Sequence, residues 1–596
     1  MGETYGGEIA GKVLKEEGVK YFFGVQGAHM WGLLLGICEQ DIEMIHMRHE
    51  QAGVYAADAY ARLTQSPGVC FGTAGPGMQN MVAGISQAYL ARSPVLALFA
   101  QHPVFEDGLK GLQVGWGADV VRTMTKWGLR IVDGNTLGYW IRKALRDVLT
   151  YPPGPIALDL PPGATAARFG EERQRYTGWR GPVSTPPAGP GDERAVEKAV
   201  RILLDAEKPI IMGGDGIYWS NASAELQELV ELLQIPVNTR RMGRGAVPDD
   251  HPLAVGGRYR GRLLRNTDAV LIVGHCIGYL EGYGQGPPYG SWNMDAKYIQ
   301  ITENPQDLSL MIPTELEIIG NVKTVLRQMI DCASSLVKGV PKREAWLQHL
   351  SENRQVSEQR QQQEEREAED ASPIHPAVLG REVASFLDNS ARDAIVIFDA
   401  FTGTAYFTDR LKSRFAGQVL DAAEQGGVGQ GIGMGIGAQL ARPGKPVLVY
   451  MGDLGMGVAA MDIETALRYK LPVVYVVNCN GTGISGVRDL YFEKTKLAGV
   501  RDSRPIMVWD FLPGIRYDKM FEPLGCYTEH VEKPSEIRPA LERAFNSGVT
   551  SVVNVFTDPS VTHPLNISPL SSALLAMLSP EQLPERGRKI IYPDLG

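Results

Sequence analysis

The sequence predicts an α/β protein of three doubly wound domains with parallel sheets, followed by a C-terminal tail. Two observations carry this. Short apolar strands alternate with helical patterns in three separate stretches: YFFGV, VCFGTA and VLALFA within 1–165; PIIMGGDG, AVLIVGH and KYIQIT within 194–338; and a third set within 372–560. The chain, at 596 residues, is also too long for one hydrophobic core.

The first stretch ends at GPIALDLPPG, and a Gly/Pro-rich, charged connection containing STPPAGPG follows it to about residue 193, as expected of a linker. After the central stretch comes KREAWLQHLSENRQVSEQRQQQEEREAEDASP, polar nearly all round. It predicts a solvated helix bridging two domains, with a charged binding arm as the alternative. The first and third domains are candidates for distant structural duplicates. In the tail, 561–596, PLSSALLAMLSPEQLP has the pattern of a short amphipathic helix, and ERGRKIIYPDLG sets Arg586 and Arg588 beside apolar residues.

Composition bounds the function. Hydrophobic residues make up 44% and charged residues 21%, the balance of a soluble globular protein. A net charge of −9 argues against nonspecific binding to nucleic acid or anionic membranes, which needs a basic field. No apolar run approaches the ~18 residues of a membrane span, and the N-terminus lacks the pattern of a secretory signal. The six cysteines are scattered without a C-x-x-C pair, which predicts reduced thiols and a cytoplasmic location.

The chemistry concentrates in two places. In GDLGMGVAAMDIETALRYKLPVVYVVNCNGTG, a strand, turn, helix and strand place Asp453 and Asn480 at the ends of neighbouring strands. Two hard oxygen donors side by side suit Mg2+ clamping a diphosphate. A helix expected to start after Gly455 would aim free N–H groups at the same phosphates. A Gly-Asp followed by an Asn is by itself equally compatible with ordinary turn chemistry. The second place is RHEQAG with Glu50, between FFGVQGAH and TAGPGMQN. A lone glutamate is normally a surface charge. Here it opens a helix of small apolar residues beside a Gly75-Pro76-Gly77 turn, where a carboxyl in a dry pocket can exchange protons efficiently. Between Gly426 and Gly437, seven residues are glycine, which allows the backbone to approach a planar ring or a second helix. The same run matches G-x-G-x-x-G weakly, with no ribose-binding acid at the right distance.

Together these motifs resemble those of thiamine-diphosphate enzymes of the acetolactate synthase and pyruvate oxidase type, whose signature runs from Gly-Asp-Gly to a closing Asn-Asn pair. Two departures stand out: Leu454 replaces a small residue, and Asn478-Cys479-Asn480 breaks the pair. The resemblance implies pyrimidine-binding (1–165), central (194–338) and diphosphate-binding (372–560) domains. It implies that Asp453, Asn480 and the carbonyl of Thr482 hold Mg2+, and that Glu50 hydrogen-bonds the pyrimidine ring so that the cofactor can activate its own thiazolium carbon. It further assigns cofactor contacts to Thr73, Asn80, Gly403, Gly426, Gly452, Leu454 and Gly455. Val428 falls where relatives carry a bulkier prop, often Met, for the cofactor's bend. Because Glu50 and Asp453 lie on different domains, the family's habit of sharing the cofactor across subunits implies a homodimer at minimum and a homotetramer as the assembly.

The central stretch IPVNTRRMGRGAVPDDHPLAVGGRYRGRLLRNTDAVLIVG resembles the oxalyl-CoA decarboxylase and 2-hydroxyacyl-CoA lyase branch. By position Arg260 meets the coenzyme A phosphates, with Arg258 as a second contact and Arg241, Arg262 and Arg265 adding charge; a solvated basic helix face is the alternative. ADP is a further candidate occupant of this domain. The resemblance implies cleavage of a 2-hydroxyacyl-CoA to formyl-CoA and a ketone or aldehyde, reversible as an acyloin-type condensation. RDLYFEKTKLAG and the long tail resemble the actinobacterial 2-hydroxyisobutyryl-CoA lyase type. Oxalyl-CoA decarboxylation, and acetolactate-synthase-like joining of free 2-keto acids with FAD, are the alternatives. Glu50, Glu493 and Gln113 are the catalytic candidates, Glu493 as a proton shuttle. Leu112 and Gln113 stand in place of an aromatic-acid loop and leave room for a branched substrate, with Phe492 as an apolar wall. Arg586 and Arg588 would close a lid over the bound CoA, a disordered end being the alternative. His29 and His102 are expected to be structural hydrogen-bonders.

Overall fold

The computed structural model describes residues 3–170, 188–287, 290–336, 343–400, 403–483 and 510–561, with the single positions 185, 339, 485 and 563. Three parallel sheets organise the chain, as the alternation of strands and helices predicts. The first comprises β1 (Tyr21–Gly24), β2 (Glu43–His46), β3 (Gly68–Gly72), β4 (Val95–Ala100), β5 (Gly128–Arg130) and β6 (Ile156–Leu160), in spatial order β2-β1-β3-β4-β6-β5. The central sheet holds β7 (Pro209–Gly213), β8 (Val237–Thr239), β9 (Ala269–Val273), β10 (Lys297–Thr302) and β11 (Thr314–Ile319), ordered β8-β7-β9-β10-β11. The third is β12 (Ile395–Phe398), β13 (Val419–Leu420), β14 (Val447–Gly452), β15 (Val473–Cys479), β16 (Tyr527–Val531) and β17 (Ser551–Phe556), ordered β13-β12-β14-β15-β17-β16. The first and third sheets thus share one strand order, the relation expected of structural duplicates. A short antiparallel ribbon, Glu3–Tyr5 with Arg168–Gly170, closes the first region.

Near-continuous apolar strands follow from burial on both faces. In β4, Val95, Ala97 and Phe99 enter one core while Leu96, Leu98 and Ala100 enter another. The core containing Phe99 does not stop at the domain: it continues into Val449, Met451 and Val477 of the third sheet. Two helices make that junction, α1 (Glu50–Thr64) and α2 (Pro76–Leu90) contributing from the first sheet. α1 is built from small residues, and their reason is visible in its partner across the junction.

That partner is the glycine-rich helix Gln430–Ala441. A Cβ on Gly433 would lie 2.5 Å from the carbonyl oxygen of Ala52, and one on Gly437 would lie 2.0 Å from that of Ala56. Of the two uses expected for the glycines, close helix packing therefore accounts for these positions, while Gly426 and Gly429 take left-handed backbone conformations at φ 60° and 88°. The contact pairs advance together, 52 with 433 and 56 with 437, so the two helices run parallel. Beside them Asp58 and Arg62 form a fully buried ion pair. Arg62 Nη1 also donates to the carbonyl of Asp421, and the Tyr218 hydroxyl donates to the carbonyl of Arg62, so this pair ties all three regions together.

One expectation is corrected. The polar stretch after residue 343 is a 24-residue helix, Glu344–Glu367, but it is not solvated all round. Trp346, Leu350, Asn353, Ser357, Gln361 and Glu365 form a buried stripe three or four residues apart. Arg354 donates to the carbonyls of Pro252 and Ala254, and Glu365 pairs with Arg410 of the third region. Polar side chains are buried here because they find hydrogen-bond partners across the domain joint. Among the described residues no helix is long and apolar enough to cross a membrane.

Replacing Gly437 by Ala forces a methyl group against the Ala56 carbonyl. It is expected to destabilise the protein by about 1–3 kcal/mol in denaturant unfolding. Gly163→Ala, where no atom lies within 4 Å, should be near neutral.

Candidate cofactor and active site

The first half-site gathers at the carboxyl ends of β1, β3 and β4. Glu50 is the first residue of α1 and is buried. The Asn80 amide donates to its Oε2 at 2.9 Å. Its Oε1 faces Gly77, where a Cβ would stand 3.2 Å away. The hydroxyl of Thr73 is buried with no partner among the described residues, as is Nδ1 of His29. A Cβ on Gly27 would lie 2.2 Å from that hydroxyl. Glu50, Thr73 and Asn80, nominated from sequence, are thus brought together in one cradle, with glycines where side chains would fill it.

A loop covers this cradle. Gln113 has φ 56°, and its carbonyl oxygen would lie 2.8 Å from a Cβ on Gly75, so its backbone rests on the Gly75 turn. Leu112 is 75% exposed. The loop's far end is held by Asp159, whose two oxygens both accept from the Ala118 N–H at 3.0 Å. Burial pushes the Asp159 carboxyl up to about 6. Sequence reasoning missed this residue; its one signal is an acid inside the apolar strand IALDL. His102 bonds Asp107, which also pairs with Arg130, a structural role as expected.

The second half-site lies at the carboxyl ends of β12, β14 and β15. Asp453 is buried; its Oδ2 accepts the N–H groups of Asn480 and Gly481 at 2.5 and 2.8 Å. Its Oδ1 is buried with no partner among the described residues, and burial raises its pKa. The Asn480 side-chain oxygen accepts from the Thr482 N–H at 3.1 Å. An orphaned carboxylate oxygen beside an amide oxygen is a donor set that fits a hard divalent cation. The helix does not start after Gly455: it starts at Asp453 with Gly452 as its cap, and a second short helix, Asp462–Arg468, follows. The carboxylate is favoured in the first turn by the free N–H groups there. Leu454 is 38% exposed, so its bulk is accommodated outside.

Behind the metal candidate sits Asp399, also unforeseen. It is fully buried and accepts the N–H groups of Gly429 and Gly431 at 2.9–3.0 Å, fixing the turn that presents half-buried Val428. A Cβ on Gly455 would lie 2.8 Å from Asp399 Oδ1, so this glycine is required by packing. Burial pushes Asp399 up to about 7. Gly403 caps the short helix Thr404–Thr408 nearby.

The arginines of the central region divide. Arg258 is engaged by Asp409 at 2.5 Å and Glu364 at 3.3 Å, and bonds His563, so its charge is neutralised within the protein and it is withdrawn as a substrate contact. Arg241 pairs with Glu424. Arg260, on the helix Gly257–Asn266, makes no salt bridge among the described residues; it donates to the Leu280 carbonyl at 3.3 Å and leaves Nη1 buried and unbonded. Burial and neighbouring Arg240 push it down to about 9. Arg240 contacts Glu281 at 2.8 Å, with His275 at 3.5 Å from the same oxygen. Burial opposes ionisation of Glu281, but His275 and Arg240 hold it down to about 2. Arg240 and His275 therefore occupy Glu281, the one carboxylate whose charge also reaches Arg260. Phe492, Glu493, Arg586, Arg588 and the lid lie outside the described residues.

Comparison with known proteins agrees with this arrangement. Residues 5–121 match the N-terminal TPP binding domain of thiamine pyrophosphate enzymes, 196–329 the central domain and 402–555 the C-terminal TPP binding domain. The chain is 31% identical to the acetolactate synthase large subunit IlvG of Mycobacterium tuberculosis over 563 residues, covering 94% of this chain and 97% of that protein. It is 28% identical to the 2-hydroxyacyl-CoA lyase of Arabidopsis thaliana over 571 residues (93% and 96%) and 25% identical to the human 2-hydroxyacyl-CoA lyase 1 over 566 residues (94% and 96%). With all three domains matched in order and full-length relatives on both sides of the synthase and lyase division, the chain belongs to the thiamine pyrophosphate enzymes.

Proposed function

We propose that this protein is a 2-hydroxyacyl-CoA lyase, cleaving a branched substrate of the 2-hydroxyisobutyryl-CoA kind to formyl-CoA and a ketone, and running in reverse as a condensation. The observation that carries the choice of an acyl-CoA is Arg260. A half-buried guanidinium with no carboxylate of its own, beside a second that shares a single glutamate, is an anion site, and phosphate oxygens match guanidinium forks.

Bound thiamine diphosphate supplies an acidic thiazolium carbon and an acceptor for the electrons of the broken carbon–carbon bond. The chain's part is to hold and orient. Asp453 Oδ1, the Asn480 side-chain oxygen and the Thr482 carbonyl would hold Mg2+ against the diphosphate, with Gly452, Leu454 and Gly455 lending backbone. Glu50, with one oxygen fixed by Asn80, offers the other to a ring nitrogen and exchanges a proton there. Gly403, Gly426 and Val428 would meet the ring system. Gln113 and Leu112 bound the substrate side, Phe492 adds an apolar wall, and Glu493 serves as proton shuttle, taking the 2-hydroxyl proton as the ketone departs. Arg586 and Arg588 close over the CoA and exclude water. ADP is a second occupant to test at the Arg260 site, by competition with acyl-CoA. The working unit is a cytoplasmic homodimer or homotetramer.

The 31% identity to an acetolactate synthase favours a second reading, condensation of free 2-keto acids. Incubation with Mg2+, thiamine diphosphate and a panel of 2-hydroxyacyl-CoA and oxalyl-CoA thioesters should release formyl-CoA with a ketone or aldehyde; turnover of pyruvate alone, or a yellow flavoprotein, would select the second reading. Glu50→Gln should lower turnover by ~10²–10⁴-fold while cofactor binding persists. Arg260→Ala should raise KM for the thioester by ~10–100-fold with kcat little changed, since a charged hydrogen bond of ~1.5–3 kcal/mol would be lost from binding. Unchanged KM would refute the CoA assignment.

A further inference from the structure

Glu50 does not stand on its own domain alone. The peptides just before it are gripped from the third region by Asp462, which opens the short helix Asp462–Arg468 nine residues beyond Asp453. Asp462 is 1% exposed, and its Oδ1 accepts the Arg48 N–H at 2.8 Å and the Thr465 hydroxyl at 3.0 Å. The opposite end of the same helix adds further bonds. Arg468 donates to the His46 carbonyl at 2.8 Å, and the Tyr469 hydroxyl donates to the Met44 carbonyl at 2.8 Å while accepting the His46 N–H at 3.0 Å. Residues 44–48 are thus clamped from the metal-bearing region, and Glu50 follows two residues later.

We propose that Asp462 is a positioning residue for Glu50: its carboxylate fixes the Arg48–His49 backbone from which the helix of Glu50 starts, and so sets where the Glu50 carboxyl meets the cofactor. The inference rests on the cofactor-activating role given to Glu50 above.

Stability alone does not explain an ionised Asp462. No cation forms a salt bridge with it among the described residues; the charged and titratable groups facing it are His49, Arg48, whose side chain lies 3.9 Å from Glu464, and Tyr475. The helix of Glu50 already has a cap, since His49 Nδ1 accepts the Gln51 N–H. Burial pushes Asp462 up to about 6 from 3.8. Between those values the native state binds the proton more tightly than the unfolded chain, so stability falls as pH rises through this window. At neutral pH the folded protein therefore carries a destabilising charge, and what that charge does is hold the Arg48 N–H two residues before Glu50.

The test uses the full chain, with Asp462→Ala removing the acceptor and Asp462→Asn keeping an oxygen and the volume. In the protein without cofactor, amide hydrogen exchange over residues 44–52 should quicken in Asp462→Ala, and less in Asp462→Asn. In the Mg2+-thiamine-diphosphate form, exchange of the thiazolium C2 proton should slow by ~10–100-fold in Asp462→Ala, the scale of a misplacement of about 1 Å, with the cofactor Kd within about threefold of wild type. Asp462→Asn should melt no lower than wild type at neutral pH and should flatten the acid limb of the C2-exchange profile. Unchanged amide exchange, unchanged C2 exchange, or an unaltered acid limb in Asp462→Asn would each overturn the proposal. Should Asp462→Ala not fold, the Asn variant carries the test through its acid limb. Glu50→Gln separates the two readings: C2 exchange at the wild-type rate there would refute the role of Glu50, while the amide exchange at 44–52 still decides what Asp462 holds.

Discussion

Buried carboxylates that take backbone N–H groups instead of Lys or Arg side chains are the constraint on which the site depends. Asp159 holds the loop over the Glu50 cradle, Asp399 the turn carrying Val428, Asp453 the Asn480–Gly481 peptides and Asp462 the approach to Glu50. A carboxylate in a dry environment is costly unless its lone pairs are satisfied. Each of these therefore fixes its backbone segment tightly, because releasing the segment would leave an unsolvated charge. Four separate stretches of chain are set in this way, and the burial that raises each carboxyl's pKa is the same burial that makes its grip rigid.

The seam between the first and third regions is the second requirement. Glycines on one helix allow direct contact with carbonyls of the other, and a common core runs through both sheets. Glu50 and the Val428 turn both sit at helix starts on this seam, so their relative placement is decided by backbone contact and not by flexible side chains. Buried Arg62 extends the same joint to the central region, where Arg260 lies.

Much of this was legible in the chain itself. Strand–turn–helix–strand spacing puts Asp453 and Asn480 at adjacent strand ends, but singling them out, and Glu50 with them, depends on the resemblance carried by FFGVQGAH, RHEQAG and TAGPGMQN together. The start of the helix after β14 lies three residues before the expected one, since Gly452 and Gly455 both satisfy the local rule for a cap. The residues 344–367 looked solvated because hydropathy cannot show that a polar side chain has a partner in another domain. Of five neighbouring arginines, composition could not say which are neutralised; that depends on Asp409, Glu364 and Glu424, all more than a hundred residues away. Asp159, Asp399 and Asp462 were invisible for the same reason: an isolated acid next to an apolar strand or helix carries no mark of the peptide it will bind.

The parallel run of the two seam helices has an electrostatic corollary. Parallel helices bring like poles together, here the positive N-terminal ends of Glu50–Thr64 and Gln430–Ala441, and such a pairing is repulsive unless negative charge is supplied. Glu50 stands in the first turn of one, and Asp399 accepts N–H groups at the start of the other. Glu50 is thus also a counter-charge for its own scaffold, and the candidate site and the architecture around it draw on a single electrostatic field.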